Sequence, residues 1–305
     1  MDYALFEMHA MNHHQRSTVL TRGKNNRYVS TLNNRKGWCF FEDKVLFNKT
    51  FSDFIGRSWI DLSSTDFDSF EKFVREHVRF IAKAPEGTHG SQVELISLSH
   101  GEDLDTDQIT SLYDSLRRKG LTLCEEVVGQ RKELSVIYPH SVNTIRIVTI
   151  VTQEKPHIIA AYFRIGNNGR IVDNFNSGGM VTPVDISDGR ITKPAVDKAG
   201  NVYEAHPVTG TRIIGAKIPY WQECLETVRK AAVINQDVRY VGWDIAVTPN
   251  GPVIIEGNHF PGHDIYCLPA QTPDRVGILP YFEAVIPLKS LKQKRLANMH
   301  FNRVR

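Results

Sequence analysis

The chain has 305 residues and a formal charge of +3, from 37 basic and 34 acidic side chains. Hydrophobic residues make up 41% and aromatic residues 10%, enough apolar surface for a packed core, which excludes a disordered or fibrous chain. One large domain or two smaller ones fit this length, and a balanced charge spread along the chain is no nucleic-acid footprint.

Cys39, Cys124, Cys224 and Cys267 lie far apart without a CxxC pair, which speaks against a local zinc site and a disulfide scaffold. Free buried thiols are expected. The first seven residues lack a basic n-region and a long apolar h-region, so no signal peptide is expected. No run approaches about 18 uncharged apolar residues, the length of a membrane span. The expectation is a soluble, cytoplasmic protein.

Residues 1–42 are polar and rich in His and Asn, and read as helix and loop packing. Phe67, Phe70, Val74 and Val78 recur at helical spacing behind the capping signal Thr65-Asp66-Phe67-Asp68, which predicts a helix over 64–80. Residues 78–84 read as a strand; Ile109, Leu112 and Leu116 mark a second helix, stopped by Gly120. The pattern then turns to β. Residues 121–128, 134–138, 144–151 and 157–165 are rich in β-branched side chains between turn signals. A Gly-, Asn- and Asp-rich stretch over 166–189 carries short strands. Trp221, Leu225, Val228 and Ala232 predict a helix started at Pro219, and 239–247 with 252–256 form a hairpin before a basic tail. The fold class that follows is α+β, an α/β lobe leading into a mostly antiparallel sheet.

The hairpin carries the strongest chemical signal. Pro249-Asn250-Gly251 suits a three-residue loop. With Thr248 opposite Pro252, Asp244 faces Glu256 and Gly242 faces Asn258 on the same side of the hairpin. Trp243, Ile245, Val247, Val253 and Ile255 are apolar, so the hairpin reads as buried. Two carboxylates facing each other there repel and lose hydration. A divalent cation relieves both, and Asp, Glu and an Asn amide are hard oxygen ligands of the kind Mg²⁺ takes beside phosphates. The alternative is an arginine partner such as Arg146 or Arg164. Metal is the preferred reading.

A metal held this way implies a nucleotide. Lys83 ends a strand before Gly87 and Gly90, where a lysine offers a point charge to phosphate and glycines let backbone N–H groups approach. Neither GxxxxGK[ST] nor GxGxxG is present.

The order of these features resembles the ATP-grasp superfamily: Asp43-Lys44, Lys83 with its glycine loop, Leu123-Cys124-Glu125-Glu126-Val127-Val128, then Asp244, Glu256, Asn258 and Pro261-Gly262. The D-alanine–D-alanine ligases and related carboxylate–amine ligases share this order. More narrowly, Ser141 to Arg146, Phe163 to Gly166, Val172 to Asn174 with Gly178-Gly179, and His206 to Gly210 are similar to the sugar-transfer-associated ATP-grasp family. The resemblance runs from about residue 40 to 270. It implies two α/β subdomains clasping ATP, with an N-terminal segment over 1–42, a first subdomain over 43–126 and a second over 127–305 that holds the metal site.

By the same resemblance Lys44 and Lys83 hold the ATP phosphates, and Gly87 to Gly90 close over them as a lid. The segment from Glu125 through Glu126 to Val128 is the hinge that reads adenine, with Glu125, Gln130 or Glu133 near adenine or ribose. Asp244, Glu256 and Asn258 hold Mg²⁺. Two departures are visible. Gly242 stands where many of these ligases carry an arginine, so Arg146 and Arg164 are expected to substitute as catalytic cations on the phosphoryl group and the later oxyanion. The usual N-terminal domain also does not fit into 1–42.

The implied activity is an ATP- and Mg²⁺-dependent carboxylate–amine ligase acting through an acyl phosphate. Its carboxylate and amine partners would be saccharide-linked, within cell-surface polysaccharide biosynthesis. A phosphotransferase acting on a sugar hydroxyl and a non-catalytic nucleotide-binding scaffold are the alternatives. Asp173-Asn174 with Gly178-Gly179 read equally as an acceptor cover or a turn, and His206 as a satisfied loop histidine or a base. His259 and His263 flank Pro261-Gly262 and are candidates to touch substrate. The tail from Lys289 reads as solvated, with contact to an anionic membrane surface as the lesser reading.

Overall fold

The computed structural model describes residues 2–87, 92–98, 105–169 and 173–291. Gly90, Val172 and the tail beyond 291 lie outside them.

The chain opens with short helices: α1 (Asp2–Leu5), α2 (His13–Thr18), α3 (Arg22–Leu32), α4 (Cys39–Glu42), α5 (Lys44–Thr50) and α6 (Ser52–Ile55). Side-chain caps set two of these starts. Asn12 and Gln15 form a capping box on α2, and Asp43 accepts from the N–H groups of Val45 and Leu46 at the head of α5.

A small sheet follows, built from β1 (Trp59–Asp61), α7 (Phe67–Glu76), β2 (Arg79–Lys83), β3 (Val93–Ser97), α8 (Thr106–Arg118) and β4 (Leu123–Glu126). Asp66 caps α7, as the sequence signal predicts. The strand order is β1-β4-β2-β3. Because β4 lies between β1 and β2, the α7 connection joins strands that are not neighbours, and every pair runs antiparallel. The expected α/β lobe is therefore a helix-covered antiparallel sheet. Phe70, Phe73, Val74, Ile109 and Leu116 seal it against Phe80, Ala82 and Cys124.

The second part comprises α9 (Lys132–Ser135), β5 (Ile145–Thr152), β6 (Lys155–Ile165), β7 (Met180–Pro183), β8 (Ala195–Asp197), β9 (Val202–Tyr203), α10 (Trp221–Ala232), β10 (Tyr240–Thr248), β11 (Gly251–Asn258) and α11 (Leu279–Val285). The strand expected over 134–138 is instead the end of α9 and a turn. Its buried residues Leu134, Ile137 and Tyr138 fall at helical spacing, and a short apolar run does not separate the two readings. Asn143 closes that turn, donating from Nδ2 to the carbonyls of Leu134 and Tyr138.

The large sheet has the order β11-β10-β5-β6-β7-β8-β9 and is antiparallel throughout. It is covered on both faces. Trp221, Leu225 and Val228 of α10 pack on Ile145, Ile147 and Trp243. Tyr28, Val29 and Leu32 of α3, with Phe282 of α11, pack on Val148, Ile150 and Tyr240. The N-terminal segment is thus part of the core of the second sheet. Cys124, Cys224 and Cys267 are buried free thiols, and Cys39 is exposed. Among the described residues no helix is long and apolar enough to cross a membrane.

Candidate active site

Asp244 faces Glu256 and Gly242 faces Asn258, as the spacing predicts, but the loop differs. Thr248 pairs with Gly251, leaving a two-residue turn, and an irregularity between Asp244 and Ile245 restores the offset. Ile245 pairs with Ile254, so Ile255 is the extra residue of a β-bulge. A bulge bends its strand and re-aims the neighbouring side chain; here that neighbour is Glu256.

Asp244 is 2% exposed and carries both arginines. Arg146, directly across on β5, donates Nε and Nη2 to its two oxygens at 2.5 and 2.8 Å. Arg164 on β6 donates Nη1 to Oδ2 at 2.5 Å, and its Nη2 pairs with Asp173 at 3.0 Å. Asp173 also accepts from the Thr144 backbone N–H and hydroxyl, which ties down the loop that carries it. The arginine partnership, the lesser reading from sequence, is therefore what the structure shows at Asp244. Burial favours a neutral Asp244, but Arg146 and then Arg164 overcome it and hold the carboxyl well below the usual range.

Glu256 behaves in the opposite way. Its side chain reaches water although many protein groups lie near it, and the open surface governs how strongly its charge is screened. Desolvation and the facing Asp244 charge push it up to about 7. Two guanidinium groups thus meet three carboxylates, Asp173, Asp244 and Glu256, and Glu256 is the one whose ionisation they do not offset.

Gly242 has a packing reason. A Cβ there would lie 2.9 Å from Arg146 Cδ, because the arginine crosses directly over this position. Gly242→Ala is expected to displace Arg146 from Asp244 and cost about 1–3 kcal/mol. Equilibrium denaturation checks it; a wild-type midpoint would show that Arg146 does not need this path.

The second cluster centres on Glu125, on β4. Lys83 Nζ pairs with its Oε2 at 2.6 Å, while Arg57 and Asn48 donate to Oε1 at 3.0 and 2.7 Å. Burial alone would raise this carboxyl; Lys83 and Arg57 instead hold it far below the usual range. Lys44, at the head of α5, donates Nζ to the carbonyls of Pro85 and Gly87, so it grips the start of the glycine loop. Burial and the charge of Lys83 lower its proton affinity, and Glu256 acts in the other direction. Lys44 therefore sits within electrostatic reach of both Lys83 and the hairpin carboxylate. Three cations, Lys44, Lys83 and Arg57, surround Glu125, and Asp43 is spent on capping α5.

Other candidates have settled roles. Glu125 is held by Lys83, Arg57 and Asn48. Glu126 accepts from the Ser58 N–H at 3.0 Å, and Val128 lies half-buried in the link between the sheets. Gln130 is latched to Asn143, donating to its carbonyl at 2.6 Å and accepting from its amide side chain at 3.0 Å. Glu133 pairs with Arg131. His206 is a satisfied core histidine: Nδ1 accepts from Val208 N–H, Nε2 donates to Gly166 O, and the ring stacks on Tyr138. His259 is driven down to about 4 by burial and lies against Trp38.

Arg57 and Asn48 are residues that sequence reasoning missed. The available signal was a lone arginine inside the apolar run Phe54-Ile55-Gly56-Arg57-Ser58-Trp59, which a buried charge must justify with partners.

The sequence of residues 23–274 matches the family described as sugar-transfer associated ATP-grasp. The chain belongs to this family. No curated protein matches it. Among solved structures, the ATP-grasp ligase PsnB is similar over 84% of this chain and 64% of its own, with 15% identity and a TM-score of 0.45. D-alanyl-alanine synthetase A from Vibrio cholerae matches 86% of this chain and 65% of its own, at 12% identity and a TM-score of 0.46. The D-alanine-D-alanine ligase from Coxiella burnetii matches 83% and 56%, at 10% identity and 0.46. This sugar-transfer-associated ATP-grasp chain thus spans less than two thirds of the length of those proteins.

The donor set of the hairpin fits Mg²⁺ by its chemistry. Among the described residues no three His, Cys, Asp or Glu side chains are grouped for a metal; the set is two carboxylates and an amide. All are hard oxygens, and Glu256 is the carboxylate of the set that is open to water. Asn258 accepts the Phe260 N–H on the same oxygen that would serve a metal.

Proposed function

We propose that the chain is an ATP- and Mg²⁺-dependent ligase that activates a carboxylate as an acyl phosphate and joins it to an amine through a carbon–nitrogen bond. The observation that carries this reading is the charge layout. With Arg57 and Glu125 offsetting one another, the cationic surplus falls on Lys44 and Lys83, within electrostatic reach of Glu256, a carboxylate whose ionisation an added cation would favour. A polyphosphate bearing a divalent ion has the complementary layout.

Lys44 and Lys83 would hold the phosphates, with Gly87 beside Lys44, and the backbone from Glu126 to Val128 would meet adenine. Asp244, Glu256 and Asn258 would hold Mg²⁺, which neutralises phosphate charge when bound. Arg146 and Arg164, fixed by Asp244 and Asp173, would stabilise the phosphoryl group as the substrate carboxylate takes it, then the oxyanion as the amine attacks and phosphate leaves. Their rigid tethering means no reorganisation is needed at that moment. The family's association with sugar transfer supports a saccharide-linked acid or amine in polysaccharide assembly, and the need for ATP suits a cytoplasmic location.

Calorimetry with ATP, with and without Mg²⁺, tests the site. Lys83→Ala is expected to weaken ATP binding at least tenfold, about 1.4 kcal/mol. Unchanged affinity would remove Lys83 from the phosphate site. Phosphate release that needs both an acid and an amine supports the ligase; a stable phosphorylated product would replace it with a phosphotransferase.

A further inference from the structure

Arg57 lies between the two charge clusters, in the link from α6 to β1, with its side chain 3% exposed. Its position depends on Gly56, whose φ of +52° suits glycine and whose Cβ, if present, would collide with Val253 of β11. From there the guanidinium divides its donors between strand β11 of the large sheet and Glu125 of the small one. Nη1 donates to the Ile254 carbonyl at 2.8 Å and Nη2 to the Ile255 carbonyl at 3.2 Å. Nη2 also reaches Glu125 Oε1 at 3.0 Å. Ile255 is the bulge residue next to Glu256, and Glu125 holds Lys83. Asn48, which bonds the same Glu125 oxygen, sits one helical turn beyond Lys44 on α5.

We propose that Arg57 is a positioning residue that locks the bulge beside Glu256 to the Glu125–Lys83 pair, and so couples the metal half of the site to the phosphate half. The inference rests on the ATP- and Mg²⁺-binding reading above. The bulge carbonyls and Glu125 belong to separate sheets, and Arg57 bonds to both. A planar fork with five donors can serve two carbonyls and a carboxylate together, whereas a lysine offers one point of charge. Arg57 needs no contact with either ligand; its effect is on how much one ligand helps the other.

The coupling is read as the factor by which saturating Mg²⁺ tightens ATP binding in calorimetry. Arg57→Lys keeps the charge that Glu125 needs and is expected to bind ATP alone within about twofold of wild type, while the Mg²⁺-induced gain falls by about tenfold, or about 1.4 kcal/mol of coupling. Arg57→Gln, which keeps an NH₂ group for the carbonyls and loses the charge, should lose the gain as well. A folded Arg57→Lys with the wild-type gain overturns the proposal and leaves the ATP reading intact. A wild type that binds no ATP in either condition overturns both. Should neither variant fold, hydrogen–deuterium exchange on the wild-type chain decides. ATP without Mg²⁺ must then raise amide protection over 253–256 as well as over 79–83. Protection confined to 79–83 overturns the coupling.

Discussion

Asp244→Asn should cost this protein about 3 kcal/mol of folding stability in metal-free buffer, at the low end of the roughly 3–5 kcal/mol lost when one partner of a buried ion pair is removed. The substitution strips Arg146 of its bidentate partner and leaves Arg164 with Asp173 alone. The cost stays at the low end because Glu256, freed from the facing charge, ionises more readily and takes up part of the pairing. Denaturant titration in the presence of a chelator measures it. The opposite sign is expected of a residue that serves only as a metal ligand: removing one of two facing carboxylates then relieves repulsion, and the variant is at least as stable as wild type. A variant of unchanged or higher stability would thus refute the arginine-clamp role of Asp244.

The second large effect belongs to Glu256 and runs with pH. Its proton affinity is raised in the folded chain, from an ordinary 4.5 to about 7, so the folded state binds more protons than the unfolded state between those values. Stability on this account is full below about pH 4.5 and falls as the pH rises through 7. Because the side chain is open to water, screening reduces the cost to about 1 kcal/mol. Glu256→Gln should remove this slope, making the variant about 1 kcal/mol more stable than wild type at pH 8 without metal. Adding Mg²⁺ should then stabilise wild type, by about 1.4 kcal/mol at ten times its dissociation constant, and leave the variant unmoved. Metal-dependent turnover should be lost with it. An equal response of both proteins to Mg²⁺ would take Glu256 out of the metal site.

Much of the site was legible because its logic is local. The pairing of Asp244 with Glu256 follows from strand alternation and a turn signal within twenty residues, and it survived an error in the turn: the tighter loop and the bulge at Ile255 cancel, restoring the expected register. The α7 cap and the α10 stripe were likewise readable. Residues 134–138 were misread because β-branched and apolar residues over one turn fit either period. The bond of Gln130 to Asn143 was not legible because it spans a turn that no period announces. The N-terminal segment read only as helix and loop packing, because its polar composition carries no period that announces how Tyr28, Val29 and Leu32 complete one face of the large sheet.

By itself, the sequence determined the α+β class, the order of lysines and carboxylates along the chain, and the hairpin that brings Asp244 against Glu256. Those depend on propensity, period and spacing, which act over a few residues. Only the tertiary structure decided how the charges are shared. Arg146 and Arg164 lie 98 and 80 residues from Asp244, and Arg57 lies 68 from Glu125, so no local pattern links them. Their pairing is dictated by burial. A carboxylate removed from water takes whichever cation the packed sheets bring within reach, and that choice left Glu256 as the carboxylate open to water without an arginine partner of its own.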